Sequence, residues 1–153
     1  MTADAPESVE WRRTDPDFRV YVPETQTGPT ASNQHLIVVP TPADTFVAVW
    51  KQASMENEAD QHVVAARSTD RGESWSDPVE VDGPAPDDGP GTGLASYPFA
   101  VVAPGVAPDG GHRIYCFYNK NAGIDDARED TTGVLRCRYS EDDGRTWSDG
   151  TVD

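Results

Sequence analysis

One octet occurs twice in the chain, as STDRGESW at 68–75 and as SEDDGRTW at 140–147. Ser68 and Ser140 begin the two copies, 72 residues apart, and Ser, Asp, Gly, a hydroxyl residue and Trp recur at the same places in both. Self-similarity at a fixed spacing indicates that a supersecondary unit is repeated along the chain. Any fold proposed for this sequence must therefore contain one unit twice.

The residues of the octet suit a tight turn at the end of a strand. An Asp two residues after the strand accepts backbone N–H bonds within the turn, and the Gly two residues later supplies a positive φ. The hydroxyl residue adds a local hydrogen bond, and the Trp packs its apolar ring under the turn. We therefore predict a structural role, not a catalytic one, for these positions. They are Ser68, Asp70, Gly72, Ser74 and Trp75 in the first copy and Ser140, Asp142, Gly144, Thr146 and Trp147 in the second.

Three short β-branched runs precede each octet, and Pro, Asp, Asn and Gly separate them. This composition is typical of consecutive strands, and no segment shows a 3.6-residue apolar stripe, so almost no helix is expected. PVEV at 78–81 predicts a brief fourth strand at a sheet edge. The other predicted strands are HLIVVP (35–40), TFVAVWKQ (45–52), HVVAARS (62–68), SYPFAVVAP (96–104), HRIYCFYNK (112–120) and GVLRCRYS (133–140).

A repeated four-stranded sheet is typical of a β-propeller blade, and the apolar runs LIVV, FVAVW and FAVV predict strands that are covered on both faces. We predict an all-β fold with an extended N-terminal arm at 1–32, a first blade at about 33–83 and an incomplete second blade at about 95–153. Two blades cannot close a ring, so we expect a truncated piece of a larger protein. The alternative is a small sandwich of six to eight strands.

The acidic composition disfavours nucleic acid and anionic membrane surfaces as partners. The formal net charge is -15, and the only lysines are Lys51 and Lys120. No secretory signal or membrane-spanning run is recognisable, so a cytoplasmic location is the default expectation. The absence of a CxxC motif or a Cys/His cluster predicts no metal and no cofactor. Cys116 and Cys137 lie on neighbouring predicted strands and could pair, but we interpret them as two small buried thiols.

Both octets match S-x-D-x-G-x-[ST]-W, which resembles the Asp-box, or BNR repeat, of the sialidase (neuraminidase) superfamily. The resemblance runs from about Asn33 to Asp149. It implies a six-bladed β-propeller, with each box between the third and fourth strands of a blade, on the rim away from the active site. The same motif also occurs in propellers that only bind, so it indicates the fold more strongly than an activity.

The segment QHLIVVPTPADTFVAVWKQAS is similar to the first blade of exo-sialidases. The alignment places Gln34, beside His35, where the family has its first substrate-gripping arginine. Neither side chain offers the fixed charge and planar fork of a guanidinium, so the substrate need not be sialic acid. Arg19, in DFRVYVP, is a fainter second match to the same motif but lies far from the hairpin.

The resemblance directs attention to the loops that follow the second strand of each unit. In the loop at 51–60, Glu56, Glu58 and Asp60 are the candidate general acid and base, and Gln52 can orient a sugar hydroxyl; a solvated acidic loop is the alternative. In the loop at 119–130, we predict sugar binding by amides and charged groups, or else simple surface ion pairs. Those candidates are Asn119, Asn121, Asp125 and Arg128.

Two functions follow from this reading. The first is a sialidase-like glycoside hydrolase that acts on a terminal sugar, of which this chain alone would be inactive because the family's nucleophile comes from later blades. The second is a non-catalytic propeller that binds carbohydrate or protein through the same loops.

Overall fold

A computed structural model of the chain describes residues 16–85, 93–121 and 133–149. These residues form seven strands and no helix, which confirms the all-β prediction, and they therefore contain no helix able to cross a membrane. Each strand lies within three residues of its predicted position. The strands are β1 (Ser32–Pro40), β2 (Phe46–Ala53), β3 (His62–Ser68), β4 (Val79–Asp82), β5 (Ala95–Pro104), β6 (His112–Lys120) and β7 (Val134–Ser140).

The strands form two antiparallel sheets, which we call sheet one (β1-β2-β3-β4) and sheet two (β5-β6-β7). Strand order follows chain order in both, so each sheet is an up-and-down meander. The short β4 lies at an edge, as PVEV predicted. Two such meanders packed together are consistent with a fragment of a β-propeller.

The main core lies between the two sheets. Val47, Val49 and Val63 of sheet one pack in the same buried cluster as Ile114 and Cys116 of sheet two. Alternate residues along a strand point to opposite faces. The buried residues between those that face sheet two therefore form a second cluster on the other face of sheet one. The residues of that second cluster are Ala48, Trp50, Val64 and Ala66.

The far face of sheet one is covered by the segment before β1. Val20 and Tyr21 pack against its cluster, together with Trp75 of the first octet. Tyr21 lies 5.9 Å from Trp50 between ring centroids. Residues 16–31 contain no strand, yet they help to exclude water from Trp50, which is only 2% exposed.

Coverage of the first strand of each sheet differs from the prediction. β2 is buried along nearly its whole length, whereas β1 and β5 alternate between covered and exposed residues. Leu36 on β1 is 50% exposed and Phe99 on β5 is 55% exposed. The apolar runs LIVV and FAVV were expected to be covered on both faces; in the described residues, a sheet packs against only one face of each.

The two cysteines are free and buried. They lie on the neighbouring strands β6 and β7, but Phe117 pairs with Cys137 and Cys116 pairs with Arg138. Paired residues share a face and adjacent residues do not, so the two thiols point to opposite faces of sheet two. Burial raises the pKa of both thiols.

The two octets form the same turn, after β3 and after β7. In the first, the Ser68 hydroxyl donates to Asp70 Oδ1 at 2.7 Å and accepts from the Gly72 amide at 2.8 Å. The Asp70 carboxylate also accepts from the backbone amide and the hydroxyl of Ser74, at 2.9 and 2.5 Å. Gly72 has a φ of 94°. All of these bonds join residues within one turn.

The second octet repeats each bond. Ser140 donates to Asp142 at 2.8 Å and accepts from Gly144 at 2.9 Å, while Thr146 donates to Asp142 from its amide and its hydroxyl at 2.9 and 2.6 Å. Hydrogen bonds led by that from Ser74 lower the pKa of Asp70 to about 2. Burial acts to raise the pKa of Asp142, but the hydrogen bonds from Thr146 and Ser140 outweigh it and lower that pKa. Both carboxylates are therefore held in the charged form, as turn-closing acceptors.

Candidate functional site

Buried polar side chains converge at the end of the sheets opposite the octets. Here β1, β3 and β5 begin, and β2 and β6 end, so the loop between β2 and β3 lies at this end as well. The buried interior is apolar midway along the strands and polar at this end of them, and we call this region the polar end. Its buried members are Lys51, Gln52, Gln61, Asp82, Ser96 and Asn121.

A β-bulge interrupts the first strand of each sheet at this end. The register shifts between Gln34 and Ile37 in β1 and between Ser96 and Phe99 in β5. Each bulge contains a non-glycine residue in the left-handed region, His35 (φ 57°) and Tyr97 (φ 53°). The two rings meet across the sheets, with centroids 4.7 Å apart. Bulges often re-aim side chains next to binding sites, and this pair brings the predicted His35 to the second sheet.

Gln34 and His35 also line an open cavity of about 320 Å³ between the N-terminal segment and β1. Arg19, Tyr21 and Trp50 line the same cavity. Arg19 is far from Gln34 in sequence, but the fold brings both to the walls of this cavity. The cavity has a guanidinium, an amide and aromatic rings on its walls, which is a set able to hold a small polar ligand.

Gln52 is held in place by a neighbouring side chain. Asn33 Oδ1 accepts hydrogen bonds from Gln52 Nε2 and from Trp50 Nε1, both at 2.9 Å. Gln52 is 2% exposed, and Asn33 ties both its amide and the Trp50 indole to the start of β1. The sugar-orienting role predicted for Gln52 stays a prediction, and the structure shows its Nε2 already engaged.

The loop after β2 is closed by Asp60. Both carboxylate oxygens accept from the Ser54 amide, at 3.2 and 3.0 Å, and the Asp60 carbonyl lies 2.9 Å from His62 Nδ1. Glu56 and Glu58 are exposed at the tip of the loop. The three candidate acids are therefore not grouped in one cleft: Asp60 clips the base of the loop, and the two glutamates face solvent. Their catalytic roles stay predictions.

Two of the candidates from the second loop lie where β6 ends. Asn121 is 1% exposed, and its backbone bonds to Leu94 and Gly93, each at 3.0 Å, tie the end of β6 to the segment before β5. Asn119 is partly buried and is the Cα partner of Ser96. Asp125 and Arg128 lie outside the described residues.

A charged cluster joins the two sheets at the polar end. Asp82 of β4 accepts from Tyr118 at 2.5 Å and from Lys120 at 2.7 Å, and Arg138 lies 3.5 Å from the same carboxylate. Lys120 also donates to the Gly83 carbonyl at 2.8 Å. Burial and the bond to Asp82 raise the pKa of Tyr118, which stays neutral and donates. A buried carboxylate needs such partners, so the cluster fixes how the sheets meet.

Sequence reasoning missed several residues of the polar end, among them Lys51, Gln61, Asp82, Ser96 and Tyr97. Gln61 comes two residues before Val63, so it continues the inward alternation of β3, and Lys51 continues that of Val49 in the same way. A polar residue at a position where the period predicts a core residue was a signal that could have been used.

No group of three or more His, Cys, Asp or Glu residues that could hold a metal occurs in 16–85, 93–121 and 133–149. The amide-rich composition of the polar end instead suits hydrogen bonding to neutral groups, because amides both donate and accept.

Comparison of the fold with solved structures gives partial matches, and the following two are among them. One is a Hadza microbial sialidase, Hz136, with 20% identity and a TM-score of 0.58 over 78% of this chain. The fold is sialidase-like. The other, a protein of unknown function from Dyadobacter fermentans DSM 18053, has 15% identity and a TM-score of 0.52 over 78% of this chain.

The matched region spans only 25% of the first neighbour and 35% of the second. No family model and no curated protein sequence matches the chain. Identities this low support the architecture and carry no residue-level assignment of function.

Proposed function

We propose that this chain forms part of a sialidase-like glycoside hydrolase whose sugar site lies at the polar end. The observation that carries the proposal is the segregation of the sheets into two ends. The octets at one end use their polar groups to close their own turns, whereas the other end gathers amides and a ring contact from both sheets. The sialidase-like fold supports this reading.

In this proposal the loop after β2 supplies the proton donor. Glu56, Glu58 and Asp60 are its candidates, and the exposed glutamates would have to lose water when a sugar binds, because a general acid at neutral pH needs a raised pKa. Gln34 and His35 would contact the sugar from the neighbouring strand. The substrate is a terminal sugar, and no cofactor is required for this chemistry.

The test uses the complete reading frame that contains this sequence, assayed against aryl glycosides that include a sialoside. Glu56→Gln, Glu58→Gln and Asp60→Asn are compared with Glu73→Gln, an exposed glutamate in the first octet. Loss of the proton donor should lower kcat about 10²- to 10⁴-fold in one of the three variants, and the control should be unaffected. Full activity in all three would refute the assignment of the acid to this loop.

A second function, glycan binding without catalysis, is favoured by the loop geometry. Asp60 is occupied as a clip on Ser54, and both glutamates face solvent. Binding of a glycan by the complete protein, with no hydrolysis of any glycoside in the panel, would support this second function over the first.

A further inference from the structure

Three side chains at the polar end have buried polar atoms without a hydrogen-bond partner in the described part of the chain. They are Gln61, with both amide atoms unpaired, Ser96, with its hydroxyl unpaired, and Gln34, with its Oε1 unpaired. Gln61 and Ser96 are each 0% exposed. We call these three residues the polar seam.

The fold places the members of the seam along the junction of the two sheets. The Gln61 carbonyl accepts from the amide of Ala95, the residue before Ser96, at 2.9 Å. Gln34 is the Cα partner of Lys51, and Lys51 and Gln61 both continue the inward alternation of sheet one. Gln34 and Gln61 therefore lie on the face of sheet one that meets sheet two, and Ser96 directly follows the residue of β5 that bonds to Gln61.

Unpaired atoms of this kind are rare in native proteins, since a buried amide without partners loses its hydration and gains nothing in return. Four of the seven such atoms found in the described residues belong to this seam. Buried polar groups left without protein partners are commonly satisfied by ordered water or by a ligand. The clustering therefore points to a partner that the described residues do not supply.

The chemistry of the seam defines that partner. An amide nitrogen donates, an amide oxygen accepts, and a serine hydroxyl does both, while none of the three side chains carries a charge. A hydroxyl group, which donates and accepts, matches this set, whereas a carboxylate only accepts and would leave the oxygens of Gln61 and Gln34 unpaired.

We propose that the polar seam is a binding site for neutral hydroxyl groups, supplied by ordered water or by a neutral sugar. The sugar source rests on the proposed function and would make Gln61 a specificity-determining residue. The water source stands without it, as an internal site that fixes the junction of the two sheets beneath the candidate loop.

The variant that tests the proposal is Gln61→Met, which keeps the length of the side chain and removes all its hydrogen bonds. Gln26→Met, at an exposed glutamine, is the matched control, and Ser96→Ala is a smaller change within the seam. The complete protein is measured for Tm without ligand and for affinity toward methyl β-galactoside, with methyl α-sialoside as the anionic probe.

If water fills the seam, Gln61→Met should lower Tm by at least about 2 °C and leave the affinity for the galactoside unchanged. If the sugar hydroxyl fills it, the affinity for the galactoside should fall at least about tenfold, with little effect on the sialoside. A high-resolution crystal structure of the protein, alone and with the galactoside, should show an oxygen within hydrogen-bond distance of the Gln61 amide.

If neither water nor sugar binds at the polar seam, the three measurements should give different results. Tm would stay level or rise in Gln61→Met, the galactoside affinity would not change, and the crystal structures would show no oxygen at the amide; this result overturns the proposal. Failure of the proposed function is separately visible, because it appears as a lack of hydrolysis by the unmodified protein, whatever Gln61 does.

Discussion

Substituting Gly144 tests whether the second octet fastens the two sheets or only closes its own turn. Gly144 has a φ of 79°, and a Cβ added there would lie 2.9 Å from Val47 Cγ1, in the core of sheet one. Gly72, its counterpart in the first octet, has a φ of 94°, and the same addition would come no closer than 3.8 Å to any neighbour. An alanine would be strained by the backbone conformation at either glycine, but only at Gly144 would its Cβ also come too close to a neighbouring side chain.

The magnitudes separate the two positions. The left-handed conformation should cost an alanine about 1–2 kcal/mol at either glycine. Gly144→Ala adds overpacking against a β-branched, fully buried valine, which typically costs a further 1–3 kcal/mol or so. We therefore expect Gly144→Ala to reduce the free energy of unfolding by about 2–5 kcal/mol and Gly72→Ala by only about 1–2 kcal/mol.

Urea unfolding of the two variants measures these differences. Adding Val47→Ala gives space to the new methyl group, so the double variant Val47→Ala/Gly144→Ala should show a favourable coupling of at least about 1 kcal/mol. Equal destabilisation at Gly72 and Gly144, or additivity with Val47→Ala within about 0.5 kcal/mol, would show that the second octet does not press on sheet one and would refute the reasoning.

Three further predictions concern charge and thiols. Hydrogen bonds, of which that from the Ser74 side chain has the largest effect, lower the pKa of Asp70 from 3.8 to about 2. The stabilisation that they give is therefore present above pH 3.8 and disappears as the pH falls through 2. Thermal unfolding of Asp70→Asn should depend less on pH across this window, and an unchanged pH profile would contradict the turn-closing role. Asp82→Asn should cost about 2–3 kcal/mol because it removes a buried carboxylate and leaves two partly buried cations without their counter-charge. Tyr118→Phe should cost only about 1 kcal/mol. Chemical denaturation would rank the two variants, and equal effects would count against the cross-sheet cluster. Neither thiol should react with a disulfide reagent before the protein unfolds, since both thiols are buried and have raised pKa values. A reducing agent should leave the unfolding midpoint unchanged. Rapid labelling of the folded protein would show that the strands open more readily than this packing implies.

Much of the fold could be predicted because its signals are local. The octet closes on itself through bonds that span no more than four residues, so its residue types alone predict its turn. Strand positions follow from β-branched runs and their breaks. Coverage of β1 was mispredicted because an apolar run cannot show which faces of a strand another sheet will reach.

The candidate site was predicted less completely. The loop after β2 was located by counting back from the octet, but Asp60 proved to be tied to Ser54, a contact that residue types in an acidic loop do not reveal. Gln61 was overlooked although it stands at an inward position. Burial and the absence of partners, which make it informative, are properties of packing.

The sequence by itself determined the all-β architecture, the repeat and the structural nature of the octets, because alternation and turn hydrogen bonds depend on near neighbours in the chain. Only the tertiary structure decided which polar groups meet. The bulges at His35 and Tyr97 bring two rings together across the sheets, and the N-terminal segment places Arg19 in the cavity beside Gln34. Such encounters depend on register and on how two faces dock, and both are set by the packing of residues that are distant in sequence.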